Sequence, residues 1–545
     1  MGRLMIALLA LFALAPAATA QERDEAVVVV TSDGEDLLVT ITLDHAVERF
    51  AFDRGDVVRD DAIEVVTPGL TYAEDAISGD APFDSVVFRL REDVTERDAK
   101  YPPYYRVGAS RLLYAQTIYP DTDAWDVTLA LEGMPEGWSR WPETPLPQGY
   151  LFLGPDQDIT REGGVLFVTD GNGTPEFNAQ IRSGVAQSLA FLTELFGSPP
   201  ASTPFVATSI LEGDSNSMTG DVTADAMIAL RFIGLSDDAG SPRMLSRTRS
   251  LVLHEGVHFW NGGVAQFAPD TPMWLHEGGA EYIATLASWR FGWTPREALT
   301  GSFGQWLGRC RTALSRSDEI ALNDLDFIPS SMRYTCGPLL QLLTELYLAD
   351  GGHEETVFDA WRKTVQTART GDGFYNVPAF YAAAGAPDLL ESPALAAILA
   401  TSGPGRWDTV LAEMQRLGMG IEERSSPPLR ARTVLMHVIR SQCTGLGPGE
   451  GYGFYSGQDS YRLDTPEGCG MLAGNPVVES LEGETLTGMT ADAYAFLQHL
   501  CATGSTIGFE RVGEITIEVP CTSPLPDAAT EPVITALPDI PAFSE

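Results

Sequence analysis

The chain has 545 residues, with 35 Lys and Arg against 75 Asp and Glu and a formal charge of −40. An acid excess of this size argues against nucleic acid or an anionic membrane as the partner, because both would be repelled. Hydrophobic residues make up 44% and charged residues 20%, which excludes a disordered chain and leaves apolar mass for several domains with their own cores.

Residues 1–20 read as a secretory signal. Arg3 is the basic start, Leu4 to Ala15 is an apolar run too short to span a bilayer, and Ala18-Thr19-Ala20 is a small-x-small cleavage site. The expectation is export to the periplasm or beyond. No later segment has the uninterrupted apolar length of a membrane span, so no integral membrane segment is expected.

Residues 21–155 carry short β-rich runs (26–31, 37–43, 85–90, 111–118, 125–131) separated by Gly, Asp and Pro. They predict an N-terminal β-sandwich. Residues 156–420 begin with a few strands and pass to helical patterns, among them 179–196, 244–260, 273–290 and 337–348. This order predicts an α+β domain with a helical lobe. Residues 421–428 end in Pro427-Pro428 and read as a linker. Residues 429–525 read as β-rich with one helix near 490–500, and residues 526–545, rich in Pro and acid, read as a flexible tail. The six cysteines all lie in the C-terminal half. In an oxidising compartment they predict disulfides, Cys310 with Cys336 and the other four within the C-terminal module.

The strongest chemical signal is His254-Glu255-Gly256-Val257-His258. Residues i and i+4 share one helix face, so two imidazoles can grip one Zn2+ while the glutamate between them serves as general base. Zinc hydrolases take three protein ligands and keep one position open. After eighteen intervening residues His258 is followed by Glu277, within Trp274-Leu275-His276-Glu277-Gly278-Gly279-Ala280-Glu281-Tyr282.

This spacing is the signature of the gluzincin metallopeptidases, and the second segment resembles the WLNEGFAEY segment of the aminopeptidase N family. The resemblance implies a thermolysin-like zinc peptidase domain with His254, His258 and Glu277 as ligands and Glu255 as catalytic base. Glu281, one turn further, would support the ligands from behind. His276 stands where the family has Asn, which makes it a rival ligand. The family also has a Tyr-x-Lys-Gly segment whose tyrosine binds the oxyanion. Tyr334-Thr335-Cys336-Gly337 resembles it, with Cys336 in place of Lys. The activity implied is hydrolysis of peptides by an aminopeptidase, with cationic peptides favoured by the acidic surface. Endopeptidase activity, or an inactive peptide-binding relative, are the alternatives.

Aminopeptidases of the family hold the substrate amine with the glutamate of a Gly-x-Met-Glu-Asn segment. Ser217-Met218-Thr219-Gly220-Asp221 lies in the corresponding place without that glutamate, which leaves Asp221, Asp225 and Glu212 as candidates. Residues 429–525 resemble a PDZ domain, with Gly451-Tyr452-Gly453-Phe454 like its carboxylate-binding loop, so peptide C-termini are an implied partner. The glycyl aminopeptidase family joins its domains in this same order.

Overall fold

The computed structural model describes residues 23–34, 36–53, 59, 62–92, 101–211, 217–223, 226–234, 242–315, 320–325, 330–444, 451–457, 459–511 and 516–543. The expected signal, 1–20, lies outside them. Two compact units divide the chain: residues 1–266 with 368–373, and residues 267–367 with 374–545.

The first unit is a stack of three sheets. The outer one contains β1 (Asp24–Asp33), β2 (Asp36–Ala51), β3 (Ile63–Val65), β4 (Leu70–Ala73), β5 (Ala76–Leu90) and β8 (Trp125–Glu132), in the order β3-β5-β2-β1-β8 with β4 on β5. The middle one contains β6 (Tyr104–Val107), β7 (Ser110–Tyr114), β9 (Trp138–Trp141) and β10 (Tyr150–Pro155). The strands β7 and β10 are buried along almost their whole length because both of their faces are covered. Tyr104, Leu113, Leu151 and Leu153 join the core of the outer sheet. Their strand neighbours Tyr105, Leu112, Tyr150 and Phe152 join a second core with Phe205, Ala207, Met227 and Ala229. Period-2 alternation thus sends successive side chains into different cores. The run 111–118 is strand only to Tyr114 and then turns into a short 3-10 helix, Ala115–Thr117.

The third sheet is β11 (Thr160–Glu162), β12 (Val165–Thr169), β13 (Phe205–Leu211), β14 (Ser217–Thr223) and β15 (Met227–Ile233), in the order β11-β12-β13-β15-β14. Strands β12, β13 and β15 run parallel, and β14 is an antiparallel edge. Helix α1 (Pro175–Phe196), capped by the Thr174 hydroxyl, and α2 (Pro242–His258) follow.

The second unit opens with the helices α3 (Met273–Arg290), α4 (Arg296–Ser315), α5 (Ser330–Arg333), α6 (Cys336–Asp350) and α7 (Val357–Thr370), and with the short pair β16 (Gln266–Phe267) and β17 (Phe374–Tyr375). Helices α8 (Val377–Ala383), α9 (Pro393–Leu399) and α10 (Arg406–Arg416) complete this lobe. Then come β18 (Gly420–Arg424), α11 (Pro427–Gln442), a six-stranded sheet and α12 (Ala491–Ala502). The sheet has the order β19-β20-β21-β23-β24, from β19 (Gly453–Ser456), β20 (Tyr461–Asp464), β21 (Val477–Leu481), β23 (Thr506–Arg511) and β24 (Thr516–Pro520), with β22 (Glu484–Thr485) on β21.

Three expectations change here. Residues 429–442 are helix rather than strand. Ala431, Val434, Leu435, Val438 and Ile439 are its buried residues, a helical period that β-branched residues disguised. The linker 421–428 is part strand, and its two prolines start α11 at the position where a missing N–H costs nothing. The flexible tail contains β25 (Glu531–Ala536), which pairs antiparallel with β18. Beyond it Ala542 and Phe543 are buried, and the Arg296 guanidinium donates to the Phe543 carbonyl at 2.8 Å. Cys310 pairs with Cys336 as expected, and the other four pair within the C-terminal module, as Cys443–Cys469 and Cys501–Cys521.

Candidate metal centre and active site

The histidine pair rests on α2. Gly256 lies inside the motif where a helix disfavours glycine. A Cβ there would meet Leu192 Cδ1 at 2.9 Å, so the glycine lets α1 approach closely. His254 and His258 are buried, with 4% and 8% exposure. Their Nε2 atoms face each other at 3.3 Å. After His258 the helix widens into a π-helix, Phe259–Val264, and the Ala265 N–H reaches back to the Trp260 carbonyl at 2.8 Å. π-turns of this kind recur at functional sites. This one brings the Asn261 Oδ1 to 2.9 Å from His258 Nδ1. The amide oxygen can only accept, so this hydrogen bond favours the tautomer with the proton on Nδ1, in which the Nε2 lone pair can ligate a metal. Trp260 anchors the turn by donating to the Ser198 carbonyl at 2.8 Å and stacking on Phe196.

Glu277 rests on α3, whose first turn follows Pro272. His276 is buried, its Nδ1 lies 2.8 Å from the Tyr375 hydroxyl and its ring packs on Phe267. Burial first, and the nearby Glu277 carboxylate second, hold the Tyr375 hydroxyl well above its usual pKa, so it is present as the O–H. His254 and His258 belong to the first unit, and Glu277, His276 and Glu281 to the second.

The facing histidines fit zinc. Two nitrogens about 2.0–2.1 Å from a tetrahedral centre stand about 3.3 Å apart, the separation of the imidazole Nε2 atoms. Two imidazoles and one carboxylate are also a donor set found in catalytic zinc sites.

At the residue after Glu281, the same helix meets a buried acid that the sequence reading missed. The Tyr282 hydroxyl donates to Glu345 Oε2 at 3.2 Å, and the Val357 N–H donates to the same oxygen at 2.9 Å. Burial pushes the Glu345 carboxyl up to about 7, against these hydrogen bonds and Arg290, which pull it down. A lone glutamate inside the apolar α6 run was the available signal. Tyr334 lies in the turn between α5 and α6 and is 42% exposed.

Of the candidates for a substrate amine, Glu212 and Asp225 lie outside the described residues. Asp221 sits on β14. On that strand Met218 and Gly220 face α2: the Thr248 hydroxyl lies 3.2 Å from Met218 Sδ, and a Cβ on Gly220 would meet Leu251 at 2.8 Å. Alternation turns Asp221 to the opposite face, where its charge acts on the buried Tyr105 and Tyr150. It therefore points away from the histidine helix. Gly451 is exposed, Tyr452, Gly453 and Phe454 are half-buried, and β19 is an edge strand.

No sequence-family profile matches the chain, and no curated protein matches it. Among solved structures it is similar to an aminopeptidase N family protein from Idiomarina loihiensis. The likeness has a TM-score of 0.53 at 14% identity and covers 94% of this chain and 98% of that one. The chain therefore has the fold of an aminopeptidase N family protein. Looser likenesses are to a two-domain M1 zinc metallopeptidase bound to L-tryptophan (TM-score 0.35, 13% identity, 72% and 94% covered) and to Legionella pneumophila aminopeptidase A (TM-score 0.42, 12% identity, 70% and 49% covered). At these TM-scores neither adds to the fold assignment.

Proposed function

We propose that the chain is an exported zinc peptidase of aminopeptidase type. The observation that carries this reading is the facing pair of buried Nε2 atoms, 3.3 Å apart, on the His-Glu-x-x-His helix. His254, His258 and Glu277 hold the metal, and Glu281 supports them from the next turn. When bound, zinc lowers the pKa of a water to about 7 and polarises the peptide carbonyl. Glu255, half-buried between the two histidines, takes the proton from the attacking water and passes it to the leaving amine. The Tyr334 hydroxyl donates to the oxyanion as it forms. Asn261 keeps His258 in the tautomer that presents Nε2. The net charge of −40 favours cationic peptides. Three disulfides support a periplasmic or secreted location. Residues 429–525 are a PDZ-like module. Its edge strand β19 and the Gly451-Tyr452-Gly453-Phe454 segment that leads into it would take peptide C-termini by strand addition.

The second reading, an endopeptidase, is favoured by Asp221 facing away from α2, since no carboxylate on β14 is then aimed at a substrate amine. The two readings separate on matched fluorogenic peptides with free and blocked N-termini, assayed on protein of measured zinc content. Cleavage of the free peptide alone supports the aminopeptidase. Cleavage of blocked peptides at equal rates would replace it with the endopeptidase, and a zinc-loaded chain that cleaves neither would be a binding protein.

A further inference from the structure

The zinc reading needs Glu277 and Tyr334 at a fixed spacing, yet it does not say what sets that spacing. Both belong to the second unit. The residue after Glu277 is Gly278, and Gly337 follows Tyr334 by three. A Cβ on Gly337 would stand 2.6 Å from the Trp274 carbonyl and 2.8 Å from Gly278 Cα, and a Cβ on Gly278 would collide with the Gly337 backbone. Helices α3 and α6 therefore touch backbone to backbone immediately beside the two functional residues. Neither glycine has a left-handed φ, so close approach alone accounts for them.

The second constraint is covalent. Cys336 is the first residue of α6 and is bonded to Cys310 of α4, with both side chains fully buried. Tyr334 is two residues earlier, and Thr335 between them has a non-helical backbone with φ −126° and ψ −53°. Tyr334 is 42% exposed, and its backbone runs through Thr335 directly into Cys336 and Gly337, so a shift of those two residues moves it. The cysteine that stands where the aminopeptidase N family has lysine thereby acquires a use.

We propose that the Cys310–Cys336 disulfide and the Gly278–Gly337 contact are positioning elements that fix the Tyr334 hydroxyl relative to the Glu277 carboxylate, and that turnover depends on them beyond their effect on folding. This inference rests on the zinc-peptidase reading. Misplacing an oxyanion donor costs rate in the transition state while leaving ground-state binding alone, so the loss falls on kcat.

The molecule supplies its own control. Cys443–Cys469 in the C-terminal module closes the same sequence separation of 26 residues as Cys310–Cys336. Removing either crosslink therefore releases a similar chain entropy in the unfolded state. The experiment compares the full-length variants Cys310→Ala/Cys336→Ala and Cys443→Ala/Cys469→Ala, with Cys310→Ala/Cys336→Val as a version that refills the core. It reads thermal midpoint, zinc content, kcat and KM on a peptide, with Tyr334→Phe alone and combined with the Cys310/Cys336 change.

Similar drops in midpoint, full zinc in all variants, and a kcat loss of roughly 10- to 100-fold confined to the Cys310/Cys336 variants with KM near wild type are expected. Combined with Tyr334→Phe, the disulfide change should cost no further kcat. Independently, Gly278→Ala should weaken zinc retention against a chelator, because it displaces the helix turn that carries Glu277. Wild-type kcat in the Cys310/Cys336 variants, or an equal kcat loss in both disulfide variants, would overturn the inference and leave the zinc reading standing. A fully active Tyr334→Phe would remove the reading and the inference together.

Discussion

In the proposed zinc peptidase, the histidine helix α2 and the glutamate helix α3 hold their functional residues by opposite means. On α2 the geometry is local. Two imidazoles one turn apart share a face, and Asn261, three residues past His258, orients the second at 2.9 Å. On α3 the geometry is borrowed from far along the chain. Glu277 is flanked by His276, which meets Tyr375 at 2.8 Å, and by Gly278, which meets Gly337. Further along, Tyr282 meets Glu345 at 3.2 Å. A local device survives as long as its helix forms. A borrowed one depends on the packing of a whole lobe. The two halves should therefore fail differently.

The largest effect is expected from the local half. His258→Ala should lose zinc and bring peptidase activity to background, with little loss of stability in the metal-free chain. Retained stoichiometric zinc would break the assignment of the pair. Asn261→Ala removes only the orienting amide, and zinc affinity should fall by about 10- to 100-fold, measured by chelator competition. An unchanged affinity would show that His258 is held by other means.

The borrowed half should show itself as pH-dependent stability. Glu345 has a folded pKa of about 7 against an ordinary 4.5. A carboxyl raised in this way favours the fold while protonated, since the native state then binds more protons than the unfolded one. Its contribution is whole below about pH 4.5, fades as pH rises and is gone above about pH 7. The size is on the order of 3 kcal/mol. Thermal midpoints measured from pH 4.5 to 8 should therefore fall more steeply with rising pH in wild type than in Glu345→Gln. Parallel curves would mean that Glu345 is already ionised or already exposed.

The same contrast explains what the sequence made legible. The motif on α2, the bounds of α3 and the start of α6 are readable because helical periodicity and i,i+4 spacing are properties of neighbours. In the first sheet β1, the start of β2, the end of β5 and β8 were readable from alternation and turns, whereas β3 and β4 were not. The helix α11 was hidden by β-branched residues whose 3.6 period matters more than their type. Strand β25 was hidden because a short Pro-Val-Ile-Thr segment becomes a strand only when β18 is beside it. Tyr375 as the partner of His276, and Gly337 as that of Gly278, are pairings across long stretches of chain, and no local pattern encodes them. The direction of Asp221 needed the strand register, which fixes the face each residue takes.

The central claim is that one buried metal and one glutamate perform the chemistry. It is tested most directly by comparing wild type with Glu255→Gln for zinc content and peptide cleavage in the same preparations. One zinc per chain in both proteins is expected, with cleavage reduced by about 100- to 10,000-fold in the variant. Wild-type cleavage by Glu255→Gln, or a wild-type chain that takes up no zinc, would contradict the account.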